Sequence, residues 1–256
     1  MKIFNILLIV ALLLPGINAK AIDTKLIVRV KGKDAKFLGT NIGGALVVIR
    51  NSQTGAILSS GYTEGGSGNT ALLMDSTRKR GDRLTDDRTA KYEALLNIAE
   101  ATLVDVEVTA PGHMRNAAIK GSVQLWLLPG KHIDGEGLVI ELPGLILSVL
   151  SPGLHQILPF VKDGKTIVKV RINLTMLCGC TISKGGVWDS EKIEVTAFLQ
   201  KDGKPSGEKK MKLEKEDNIF ETEFELTAKG SYGIAIHAFD TITKNTGADH
   251  VYFFVN

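Results

Sequence analysis

Met176, Cys178 and Cys180 place three soft sulfur atoms at alternate positions of the run Met176-Leu177-Cys178-Gly179-Cys180. Alternate residues of an extended strand point to one face, so a strand continuing through Cys180 would present all three together. A thioether and two thiolates suit Cu(I), because soft donors select soft ions. A structural zinc site wants two further ligands at ordinary spacing, and the chain holds no second CxC or CxxC. His237 or His250 could complete a site, although spacing alone does not bring either to the cysteines. A disulfide between Cys178 and Cys180 is the competing outcome, and it requires the chain to turn at Gly179, because extended geometry holds the two Cβ atoms too far apart. Such a small ring could also take part in thiol–disulfide exchange, though no thioredoxin-like βαβ pattern surrounds it. The last alternative is inert: a core methionine and two buried thiols.

Other motifs carry less chemistry. Gly65-Gly66-Ser67-Gly68-Asn69 ends in asparagine, has no strand-to-helix context, and reads as a glycine-rich hairpin loop rather than a nucleophile elbow. The chain contains no P-loop, HExxH, EF-hand or dinucleotide fingerprint. His113, His132 and His155 are isolated in sequence, as are His237 and His250. Arg78, Lys79, Arg80 and Arg83 alternate with Asp75, Asp82, Asp86 and Asp87, which describes a solvated loop and excludes a phosphate-tracking stripe. No nucleic-acid partner is expected. Trp126 and Trp188 lie far apart, so no stacking platform is indicated. The expectation is a protein without catalytic machinery.

The N-terminus sets the compartment in which the cysteines are met. Lys2 precedes an apolar run from Ile3 to Leu14, Pro15-Gly16 breaks it, and Ala19-Lys20-Ala21 is an A-x-A cleavage pattern. Residues 1–21 therefore read as a cleaved signal peptide, too short and too interrupted for a membrane anchor. A periplasmic or secreted location follows, and export exposes the cysteine pair to oxidation. The chain's formal net charge of +3 loses Lys2 and Lys20 with the leader, leaving 29 basic against 28 acidic residues, so the apparent basicity belongs largely to the leader.

The remainder reads as β-structure. Five of the seven prolines precede glycine, at 15, 111, 129, 143 and 152, and each mature Pro-Gly marks a turn or loop. Val104, Val106 and Val108 alternate with Asp105, Glu107 and Thr109, as in a half-buried strand. Leu26, Val28 and Val30 do the same against Lys25, Ile27 and Arg29. Residues 85–101 fit either a helix or a strand in which Tyr92, Ala94, Leu96 and Ile98 alternate. Asp202-Gly203 is a hairpin signal, and about seven short strands over the last hundred residues give the spacing of an immunoglobulin-like sandwich.

Residues 25–75, with Gly44-Ala45-Leu46-Val47-Val48-Ile49-Arg50 and the turn to Gly55, resemble the transthyretin-like or carboxypeptidase-regulatory β-sandwich modules of exported bacterial proteins. Residues 160–256, with Gly230–Asp240 and Asn245–Val255 as last strands, resemble a bacterial Ig-like domain. Such modules imply binding, spacing or assembly. The expected fold class is all-β: a signal peptide at 1–21, a β-sandwich at 22–141, an apolar inter-domain segment at 142–161 and an Ig-like sandwich at 162–256. The join from Leu142 to Val161 carries no charge in twenty residues. Pro143, Pro152 and Pro159 interrupt it, so no transmembrane segment is expected in the mature chain. It either forms strands buried between packed domains or leaves an apolar contact surface. The expected role is an envelope protein that binds a protein partner, with a copper-binding Met176, Cys178 and Cys180 set or a CxC exchange role as alternatives.

Overall fold

The computed structural model describes residues 20–77, 79–161 and 164–256. The signal-peptide assignment thus lies almost wholly outside the described residues. Among the described residues no helix is long and apolar enough to cross a membrane.

Alternation of apolar residues becomes two packed β-sandwiches. In the first, β1 (Ile22–Gly32) lies between β4 (Tyr92–Ile98), antiparallel, and β7 (Ile133–Leu142), parallel. The facing sheet runs β3 (Ile57–Tyr62), β2 (Leu46–Asn51), β5 (Thr102–Ala110) and β6 (Ile119–Leu127). Val47, Ile49, Val104, Val106 and Val108 face inward and are buried, as their period of two requires. The ambiguous 85–101 stretch is strand from Tyr92 onward. Ala94, Leu96 and Ile98 are buried while Leu95 is exposed, so the β alternation prevails over the helical reading.

β1 departs from simple alternation, because Ile27 and Arg29 on its second face are buried too. The chain from Thr63 to Lys91 covers that face. It is not a hairpin loop around Gly65–Asn69. Glu64 pairs with Lys91 and Gly66 with Thr89, and a helical turn at Ala71–Asp75 sets Leu73 into a small satellite core with Phe37 and Ala90.

The second sandwich pairs β15 (Lys212–Leu213), β16 (Ile219–Leu226), β10 (Thr166–Met176) and β8 (Leu145–Ser151) in one sheet. The other runs β14 (Lys204–Lys210), β13 (Ile193–Lys201), β17 (Gly230–Asp240), β18 (Thr246–Val255) and β9 (Ile157–Leu158). This is the immunoglobulin-like arrangement, in which the first strand divides its length between both sheets. Asp202 and Gly203 carry φ of 49° and 77° between Lys201 and Lys204, as a tight primed turn demands. Near the start of β17 the Tyr232 hydroxyl donates to the Ala228 carbonyl at 2.6 Å, a tyrosine corner. Burial pushes its phenol above the ordinary tyrosine range.

The charge-free stretch 142–161 is strand rather than linker. Leu142 ends β7. β8 pairs antiparallel with β10, burying Leu145, Ile146 and Leu147, and β9 pairs parallel with β18. Membership of the sandwiches accounts for its buried residues Leu142, Leu145, Ile146 and Leu147, whereas the part beyond β8 is largely exposed.

Among the described residues, four hydrogen bonds fasten one sandwich to the other or to the short join between them. Trp188 Nε1 donates to the Asp34 carbonyl at 2.7 Å. Asn245, fully buried, donates to the Lys33 carbonyl and accepts from Gly144 N–H, each at 2.9 Å. Asn41 Nδ2 donates to the Cys178 carbonyl at 3.1 Å. Burial and the nearby Asp240 carboxylate raise the Asp34 carboxyl above its usual range.

Candidate functional site

β10 stops at Met176, and the chain then reverses. Gly179 N–H donates to the Met176 carbonyl at 2.8 Å, Met176 N–H donates to the Cys180 carbonyl at 3.1 Å, and Gly179 takes a left-handed φ of 72°. That turn closes a disulfide between Cys178 and Cys180, and the condition for three sulfurs on one strand face is not met. Met176 and Cys178 are wholly buried, whereas Cys180 is half-buried. With both thiols bonded, the soft donor set reduces to one thioether in the core. Neither histidine joins it. His237 and His250 are exposed on β17 and β18. Among the described residues, no group of three or more His, Cys, Asp or Glu side chains is placed to hold a metal ion.

The turn contributes contact geometry. A side chain added to Gly179 would reach 2.7 Å from Ile42, so residues 177–180 lie directly on the Thr40–Ile42 turn of the first sandwich. The expected result for the purified, air-oxidised protein is no thiol reactive before reduction, two per chain after unfolding in a dithiol, and no copper by elemental analysis. Stoichiometric copper lost on Cys178→Ser would restore the metal reading.

An exposed apolar surface comes from the other half of the apolar stretch. Leu150, Leu154, Ile157 and Val161 are 50%, 69%, 64% and 49% exposed. They lie along the edge where the chain crosses from one sheet to the other. The crossing is held by backbone bonds. His155 N–H donates to the Tyr252 carbonyl at 2.7 Å and Phe254 N–H to the Gln156 carbonyl at 2.8 Å, with Ile157 beside Phe254 in register. The leucines and isoleucine are thus presented on fixed main chain.

Beside them His250, Tyr252 and Phe254 project from alternate positions of β18 onto the outer face of its sheet. Tyr252 lies over Gly233, where an added Cβ would meet its ring at 2.9 Å. Phe198 and His237 continue the aromatic face, with ring centroids 4.8 Å apart. The alternation His250, Tyr252, Phe254 was the sequence signal for this face, and attention to tryptophan alone misses it. Trp126 is exposed on β6 and Trp188 is buried against Asp34, so neither contributes.

No protein-family model matches the sequence, and no curated protein matches it. Among solved structures, the fibronectin(III)-like modules of Clostridium thermocellum CbhA align at 13% identity over 90% of this chain and 88% of theirs, with a TM-score of 0.30. The chicken interferon gamma receptor alpha chain aligns at 7% identity over 91% of this chain and 98% of its own, with a TM-score of 0.28. Escherichia coli alpha-2-macroglobulin aligns at 11% identity over 94% of this chain and 22% of its own, with a TM-score of 0.23. The sandwich architecture itself rests on the strand pairing described above, and the roles of those proteins are not carried to this one.

Proposed function

We propose that the chain is an exported, non-enzymatic binding protein of the cell envelope, periplasmic or secreted, which docks a protein partner through the apolar and aromatic edge of its second sandwich. The observation that carries this reading is the exposed group Leu150, Leu154, Ile157, Val161, Tyr252 and Phe254 on hydrogen-bonded main chain. Soluble monomers seldom leave contiguous apolar patches of this kind uncovered, and aromatic residues are favoured at the centres of protein interfaces. The leader-like sequence at 1–21 and the oxidised cysteine pair support export.

A photo-crosslinking residue at position 154, in the exporting cell, is expected to give one discrete protein adduct. The same residue at Lys215, on a charged loop far along the chain, should give none. Ile157→Asp combined with Phe254→Asp should abolish the adduct without altering the circular dichroism spectrum. An adduct that survives both substitutions, or that forms equally from position 215, overturns the reading. So does turnover of a substrate that one side-chain change abolishes.

A further inference from the structure

A crevice of about 450 Å³ opens where the two sandwiches meet, at the His237 end of the aromatic face just described and apart from Leu154 and Ile157. Residues 116–119 of the first sandwich form one side, and His237, Phe239 and Ala248 of the second form the other. Leu145 and Leu177, both buried, close its inner end. The space exists because the residues around it are small: Ala117 and Ala118 face Gly247 and Ala248. Gly247 admits no side chain without displacing β8, since an added Cβ would stand 2.9 Å from the Leu145 carbonyl oxygen. Junctions between domains are where ligand cavities of this size concentrate.

Among the described residues, no lysine, arginine, aspartate or glutamate lines the crevice. Lys244 is exposed, with its ammonium 5.3 Å from the centroid of the Phe239 ring. The same ammonium donates to the Thr241 carbonyl at 2.6 Å, and Glu194 lies opposite Phe239 in register. Arg115, exposed, immediately precedes the lining segment, whereas Lys120 alternates with Ile119 and lies on the other face of β6. We propose that this crevice binds a small amphiphile, its apolar body between the alanines and Phe239 and an anionic head at Lys244 and Arg115. A neutral apolar molecule would fill the same space but would leave the cations without a counterion.

The test uses the full mature protein and the fluorescent sulfonate 1-anilinonaphthalene-8-sulfonate, with decanoate as competitor. One saturable site is expected, displaced by decanoate and at least tenfold less well by decanol. Ala248→Trp and Ala117→Trp fill the crevice from opposite sides, and each should weaken the probe by about tenfold or more. Lys244→Glu should weaken it about fivefold, the effect shrinking with added salt. Ile157→Asp, on the proposed docking edge, should leave probe binding unchanged and so separates the two surfaces. The proposal is overturned if the tryptophan variants, folded by circular dichroism, bind the probe as the parent does. It is equally overturned if decanol competes as well as decanoate, or if probe binding is lost in Ile157→Asp.

Discussion

Arg29→Leu is expected to release the 63–91 segment from the first sandwich and to lower stability by about 2–4 kcal/mol. Arg29 sits mid-strand in β1 at 2% exposure, a position that alternation assigns to the sheet's outer face. Its guanidinium donates to the carbonyls of Thr89 and Ala90 in the covering segment, and to those of Glu136 and Gly135 in β7. Leucine keeps much of the apolar stem and removes every donor, so these carbonyls must either stay buried and unpaired or escape to water. The second course is cheaper near Thr89 and Ala90, because the apolar hold there is a small satellite core with Phe37 and Leu73, while bonds to residues 36–40 hold the segment's start. Glu136 still holds the far end, since its carboxylate accepts from Leu84 N–H, Thr85 N–H and the Thr85 hydroxyl. Hydrogen exchange should therefore rise most over 86–91 and least at 84–85, and the melting temperature should fall by about 5–12 °C. Arg29→Lys, which keeps charge without the planar fork, should lie between. Unchanged exchange over 86–91 in Arg29→Leu would show that the satellite core alone holds the segment.

That segment also marks where sequence reasoning stopped. Lys25, Ile27 and Arg29 alternate with inward residues, so β1 reads as half-exposed, and nothing local announces that a chain rich in glycine and aspartate will cover it. Burial of the second face is a tertiary fact, set by residues sixty positions away. The same limit governs 142–161. A charge-free run can be recognised as apolar, but its partners are β10 and β18, and β18 lies about a hundred residues later. Two packed all-β sandwiches were legible, because Val104, Val106 and Val108 and the Asp202-Gly203 turn obey rules that operate within a few residues. The chemistry of Met176, Cys178 and Cys180 was legible only as alternatives. Where β10 ends decides among them, and it ends in the turn that Gly179 makes at positive φ, packed against Asn41 and Ile42.

How firmly that seam joins the sandwiches can be measured at Asn245. Asn245→Ala removes a donor to the part-buried Lys33 carbonyl and an acceptor from the buried Gly144 N–H. Stranding two such groups costs about 2–4 kcal/mol if the seam stays shut. A seam that opens to water recovers part of this at the expense of the contact itself. Trp188 reports which occurs, because its indole is 8% exposed and donates to the Asp34 carbonyl, one residue beyond Lys33. Its emission should shift to the red in Asn245→Ala if the seam opens. Asn245→Ala and Trp188→Phe each pull on the Lys33–Asp34 turn, so their effects should not add. A coupling of about 0.5–1.5 kcal/mol is expected in the double-mutant cycle. Unfolding of the parent should be a single transition, since one connected group of buried residues runs from Leu26 in the first sandwich to Val255 in the second. Strict additivity, together with two separate transitions in the parent, would mean that the sandwiches fold as independent units and that Asn245 merely touches its neighbour.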